Sequence, residues 1–352
     1  MGTYLPMPTA TLQRAPERRA QQGSRRIEAL DALRGLAIAL MIFVNNPGDH
    51  DAMPSQFVHA EWHGFRIAEL VFPLFLFSAG ISMGLSRRSG AARPMLRRTA
   101  LLVAIGCVLV SVKYRHLAPS TGTLQLIAGA SLLAWMARRW LSRRTQVITA
   151  AVVLGGLWIG FTVTGWAPET NLAAQVDRTL IGSPSDLGLL GIVSASVIVL
   201  AGGWLGDLVL EAPTAMARAA LTARAGLAAT ALGLALAMAV PLNKRIWTPS
   251  YVVLGTGLSC LVLAAFLWWC GRRLDNDGLP SLQTLGLNAI AVYVVTSLAA
   301  TTVLEPVQAP VFAALAAVMT PAGAAIAWAG AMLLAGYGLC LVLQRRQIFI
   351  RL

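Results

Sequence analysis

Apolar residues fill this chain in long blocks, not at the spacing of one helix face or one side of a strand. The blocks begin near Leu30, Arg66, Thr99, Thr121, Gln146, Leu187, Leu221, Ser250, Ser281 and Ala322. Each approaches the roughly 20 residues that cross a bilayer's hydrocarbon. Unpaired backbone groups are too costly in lipid, and the short alternating segments of a barrel are missing, so every block is expected to be helical. The fold class that follows is all-α: a polytopic integral membrane bundle of about ten transmembrane helices. Val307 to Met319 is apolar but short, and fits a re-entrant piece, an interfacial helix or an extension of its neighbours equally well. Residues 1–28 are polar and Arg-rich without an apolar core. They read as a disordered cytoplasmic tail and not as a cleavable leader, which makes residues 29–352 one transmembrane domain. No internal repeat is evident, which argues against a transporter built from duplicated halves.

Composition agrees with this pattern. Of 352 residues, 57% are hydrophobic and 12% charged, about half the charge of a soluble domain. The net charge of +13 would suggest nucleic acid in a soluble protein. Here the basic residues sit at the ends of apolar blocks, so topology accounts for them and nucleic acid is not expected. Arg14, Arg18, Arg19, Arg25 and Arg26 precede the first block, and Arg87, Arg88, Arg93, Arg97 and Arg98 lie between the second and third. Arg138, Arg139, Arg143 and Arg144 follow the fourth, with smaller groups after the sixth, eighth and tenth. The opposite loops hold only Arg66, Lys113, Arg115, Arg178, Lys244 and Arg245. This asymmetry puts both termini in the cytoplasm. The cysteines, Cys107, Cys260, Cys270 and Cys340, lie in or beside apolar blocks and read as small hydrophobes.

Polar residues in so apolar a chain are the candidates for chemistry. His50, His59 and His63 share the first exterior loop with Asp49, Asp51 and Glu61. A histidine there can exchange a proton near neutral pH, or simply face water. His59 and His63 would share a face if the segment were helical, but Glu61 does not stand where a zinc-site glutamate does, and no metal is expected. Asp31 and Arg34, three apart, can pair near the cytoplasmic end of the first helix. Asn45 closes that helix at the other end, where its amide can cap or donate to an oxyanion. Glu69, just inside the second block, is either a functional carboxylate or one that reaches water. Gln125 and Asn288 can ligate substrate or join helices. The run from Pro241 to Tyr251 brings Lys244 and Arg245 to the side that disfavours positive charge, a hint of an anionic ligand or a carboxylate partner. Trp247 in the same run reads as an interfacial anchor or a substrate platform.

The run from Leu30 to Asn45, then His59-Ala-Glu-Trp-His-Gly64 and Ala68 to Phe75, resembles the heparan-alpha-glucosaminide N-acetyltransferase family. So do Gly122 to Gln125, Asn171 to Arg178, Leu187 to Leu190, Pro241 to Ser250, Leu285 to Ile290 and Arg345 to Ile350. The resemblance implies transfer of an acetyl group from cytosolic acetyl-CoA, as co-substrate, to an amino sugar or glycan on the periplasmic side. It implies catalytic roles for His59 and Asn45 and makes Glu69, Trp62, His63, Lys244 and Asn288 candidates for substrate binding. The pattern is not uniform: Glu69 stands where an aspartate is usual, and Leu126 where arginine is common. The alternatives are an O-acyltransferase of an envelope glycan and a small-solute permease or exporter. Lipid is the expected surrounding, and a homo-oligomer is left open.

Overall fold

A computed structural model describes residues 14–85, 92–116, 122–182, 187–272 and 279–349, with side chains from residue 28 onward. All described regular structure is helical. The first half holds α1 (Arg14–Asn45), α2 (Ile67–Leu85), α3 (Ala92–Tyr114), α4 (Thr123–Trp140), α5 (Arg143–Thr164) and the short α6 (Leu172–Ile181). The second holds α7 (Leu189–Glu211), α8 (Ala215–Ala237), α9 (Pro249–Arg272), α10 (Pro280–Leu287), α11 (Ala289–Thr301), α12 (Glu305–Ala316) and α13 (Pro321–Arg345).

Seven of these, α2, α3, α5, α7, α8, α9 and α13, are long and apolar enough to cross a membrane. The pair α10 and α11 makes an eighth span if it is read as one, bent by 78° at Asn288. The sequence reading took that stretch as a single helix. The remaining two expected spans correspond to α1 and α4, whose apolar runs are interrupted by Asp31 and Arg34 and by Arg138 and Arg139. Both are nonetheless packed inside the bundle, with Leu33, Ala37, Ile38, Leu126, Ala128 and Ala134 fully buried. α1 starts at Arg14 and so takes in residues 14–28, assigned above to a disordered tail; residues 1–13, Arg87, Arg88 and Arg273 lie outside the described residues. The unassigned segment near Val307 is α12, which buries none of its residues; Gln308 Nε2 in it donates to the Gly48 carbonyl at 2.6 Å.

Burial sorts the helices. Two thirds of α2 and of α7 is buried, against 17% of α3 and of α5. The exposed residues of the latter include Val108, Val152, Ile159 and Val163, part of an apolar surface of the kind lipid covers. α2 and α7 approach closely through small residues four apart on each: Gly80 and Gly84 face Gly202 and Gly206. A Cβ on Gly84 would stand 2.5 Å from the Gly203 carbonyl oxygen, and one on Gly206 2.9 Å from that of Ile81. Between membrane helices, where apolar burial gives no driving force, such backbone contact is what holds a pair together. At the arginine-rich end Arg138 makes a two-pronged pair with Asp207 (3.0 and 2.9 Å), tying α4 to α7. Asp31 and Arg34 pair as their spacing predicts (2.9 Å), and Arg34 also donates to the Ser82 hydroxyl on α2.

Candidate functional site

At the opposite end from those arginines, the loop after α1 folds back over the start of α2. Glu69 sits in the first turn of α2 and is 1% exposed, so its carboxylate must be satisfied from inside. It accepts from the Arg66 amide (2.9 Å), the Ala60 amide (3.2 Å) and His59 Nδ1 (2.9 Å). Arg66 in turn donates to the Val58 carbonyl (3.3 Å), which closes the loop on itself. The side chain of Glu69 therefore does not reach water; it organises the loop and orients one imidazole.

The second half of the chain supplies the other side. Between α8 and α9 the run Asn243 to Thr248 forms a tight turn. Asn243 Oδ1 accepts from the Ile246 amide (3.2 Å), and the Asn243 amide donates to Thr248 Oγ1 (3.0 Å). Trp247 holds a left-handed backbone (φ 52°) that costs a non-glycine residue roughly 1–3 kcal/mol. It persists because the indole is fully buried against Phe72, Tyr251 and Gly191. Trp247 is thus a core residue, neither an interfacial anchor nor a substrate platform; its neighbours come from α2, α7 and α9 and are invisible in local sequence. The bonds that join the two sides of the site include the Gly64 amide to the Leu242 carbonyl and the Tyr251 hydroxyl to the Glu69 carbonyl, each 2.8 Å.

This turn places Lys244 Nζ 3.0 Å from His59 Nε2 and 5.6 Å from the Phe72 ring centroid. Since Nδ1 faces a carboxylate, it carries the proton, and the Nε2 lone pair accepts from the ammonium. Nζ is also 3.2 Å from Nδ1, but that nitrogen is already engaged. Burial is the largest influence on His59 and pushes its pKa below 6.5; Lys244 and Arg245 act the same way, while the Glu69 hydrogen bond and charge oppose them. Burial likewise pushes the Lys244 amine down to about 8, against the pull of Glu69.

His59 and Asn45 line the same cavity, of about 1370 Å³. That exceeds the roughly 300–1,000 Å³ typical of a pocket for one small ligand. Its lining residues include Gly106 on α3 and Tyr293 on α11, each eight residues, or ~12 Å along the helix, from that helix's C-terminal end. Lys113, Lys244 and Arg245 line it, and among the described residues the one lining carboxylate, Glu69, is already bonded. Trp62 lines it too and donates to the Trp166 carbonyl (2.8 Å). Asn45 is exposed at the end of α1.

Other expectations are redistributed. His63 is exposed beside Asn243, 3.3 Å from its Nδ2, and is not among the cavity's lining residues. The segment holding His59 and His63 is not helical, so the shared face that a two-histidine metal site would use does not exist. Asn288 is fully buried at the break between α10 and α11, where it donates to the Ile348 carbonyl (3.2 Å); it holds helices together and stands apart from the cavity. Asn171 and Asp177, part of the resembling pattern, have structural duties. Asn171 caps α6 through the Ala174 amide (3.0 Å), and Asp177 accepts from the Leu189 amide (2.9 Å). Arg66, Asn243 and Tyr251 were not singled out from sequence. The only local signal for the last two was the dense polar run from Pro241 to Tyr251.

Fold and site together define a multi-pass membrane protein with a histidine–carboxylate pair in a large cationic cavity at one end of its helices. Residues 116–345 match the family described as "Acyltransferase domain" and residues 26–178 that described as "Heparan-alpha-glucosaminide N-acetyltransferase, catalytic". The first of these matches takes in more than half of the chain, which belongs to the acyltransferase domain family. It is similar to the heparan-alpha-glucosaminide N-acetyltransferase of Homo sapiens, 28% identical over 353 residues, 76% of this chain and 52% of the human protein. The Mus musculus protein of the same name is 36% identical over 108 residues, 28% of this chain and 16% of that protein. The chain thus spans about half the length of the human relative, and less of the mouse match.

Proposed function

We propose that this chain transfers an acetyl group from acetyl-CoA to the amine of an amino sugar, with His59 as general base and Asn45 as oxyanion donor. The observation that carries this reading is the presence of both side chains on one cavity, with His59 held in its Nδ1-protonated form by buried Glu69. A base needs a fixed tautomer, which Glu69 supplies by holding the proton on Nδ1 and leaving the lone pair on Nε2. The volume leaves room for donor and acceptor together, and the cationic lining suits the anionic donor.

Acetyl-CoA supplies the activated acyl group. His59 Nε2 takes the proton of the acceptor nitrogen as the new C–N bond forms, and returns it to the departing thiolate. The Asn45 carboxamide N–H stabilises the charge on the carbonyl oxygen. On this reading the cavity mouth faces the periplasm, because the arginine-rich loops at the other end take the cytoplasmic side. The test is acetyl transfer from labelled acetyl-CoA to glucosamine by the purified full chain. His59→Ala should lose about 10²–10⁴-fold in kcat, and Asn45→Ala about 10²–10³-fold. Wild-type turnover by His59→Ala would remove the base from this scheme. Solute uptake by proteoliposomes lacking acyl-CoA would favour a permease instead.

A further inference from the structure

His59 has both ring nitrogens occupied: Nδ1 by a carboxylate and Nε2 by an ammonium. A base whose working lone pair is covered in the resting state needs a reason for the cover. The cover is not a floppy side chain that happens to reach. Lys244 projects from a turn closed by Asn243 and Thr248 and anchored by a buried tryptophan in a left-handed backbone. Its ammonium lies over the Phe72 ring, 5.6 Å from the centroid. A strained, over-determined turn marks a position the fold is built to hold.

We propose that Lys244 is a positioning residue for His59: its ammonium fixes the imidazole as the neutral, Nδ1-protonated tautomer and swings aside when the acceptor amine takes its place at Nε2. The proposal rests on the reading of His59 as base and adds a second control on it. Charges of opposite sign act against each other across one ring. Glu69, from α2, favours imidazolium; Lys244 and Arg245, from the turn, disfavour it. Arg66 is also close, with its guanidinium on the Val58 carbonyl (3.3 Å). With Glu69 alone the ring would hold its proton further up the pH scale and be spent as a base. The lysine corrects that, so that the base stays available under acidic conditions.

The experiment is the pH profile of acetyl transfer by the full chain in lipid nanodiscs, for wild type, Lys244→Met and Lys244→Arg. Lys244→Met should move the acid limb of kcat/KM to higher pH by roughly one unit, the size expected for removal of one adjacent charge. Lys244→Arg should keep the limb near the wild-type position. A uniform loss at every pH, with the limb unmoved in Lys244→Met, would overturn the proposal, because a merely structural lysine would behave that way. A second measurement needs no variant: nitrogen-15 NMR of histidine-labelled wild type should show His59 protonated on Nδ1. A proton on Nε2 overturns it. An unmoved limb in Lys244→Met with an inactive His59→Ala rejects the role of Lys244 and leaves the base intact.

Discussion

Replacing Glu69 by glutamine removes one charge, adds two donors and changes almost no volume. The carboxylate receives three hydrogen bonds, two on Oε1 (from His59 Nδ1 and Ala60) and one on Oε2 (from Arg66). A carboxamide cannot accept on both sides. If its oxygen keeps His59 and Ala60, its NH₂ is driven against the Arg66 amide, and a buried unmet donor costs about 1–3 kcal/mol. If its oxygen turns to Arg66, the NH₂ faces Nδ1, which must then accept. The proton moves to Nε2 and the base is lost. Each orientation leaves one backbone amide unmet, Arg66 in the first and Ala60 in the second, and the second also turns an Nε2 proton toward the Lys244 ammonium. Glu69→Gln is expected to fold and to lose about 10²–10⁴-fold in kcat, the worth of a general base, because either the tautomer or the charge that supports the imidazolium is gone. Its pH signature separates it from general damage. Glu69 holds the His59 pKa up against burial, so removing the charge moves the acid limb to lower pH, opposite to the shift in Lys244→Met. Steady-state transfer measured across pH decides it, with nitrogen-15 spectra reporting the tautomer. Wild-type turnover with an unmoved limb in Glu69→Gln would refute the argument that Glu69 selects the tautomer.

Two further expectations concern stability. Gly206→Ala pushes a methyl to 2.9 Å from the Ile81 carbonyl oxygen at the α2–α7 crossing. It should destabilise the bundle by roughly 1–3 kcal/mol, seen as a lower midpoint of thermal unfolding in detergent; an unchanged midpoint would mean that the two helices are free to separate. His59, with its pKa below 6.5, binds its proton less readily folded than unfolded. Stability should therefore fall as pH drops below 6.5, and His59→Gln should flatten that slope in acid titrations followed by tryptophan fluorescence.

The parts of this molecule that were legible in sequence are those set by neighbours along the chain. Asp31 and Arg34 are one helical turn apart and pair accordingly. The apolar blocks announce their helices, because a bilayer imposes length and composition on each one separately. The break at Asn288 was missed: an apolar block reads as continuous even where Gly286, Leu287 and Asn288 permit a bend. The site depends on distance in sequence. Glu69 meets His59 only because the loop reverses, and Lys244 arrives from 185 residues away through a turn whose strain is absorbed by burial of Trp247. Trp247 itself misled, since an indole near a loop resembles a membrane anchor until its packing partners are known. Asn288 was polar and intramembrane like Glu69, yet it fastens the C-terminal segment, and composition carries no mark of that difference.

The two seams at Gly64–Leu242 and Tyr251–Glu69 give the chemistry a bipartite parentage. Imidazole and carboxylate come from the first third of this chain, the ammonium from the last. A fragment ending near residue 178 would carry the proposed base without its counterweight, and the complementary fragment would carry a cation with nothing to steer. Fusion or splitting of this scaffold in evolution must therefore transmit both portions together, or reassemble them in the bilayer.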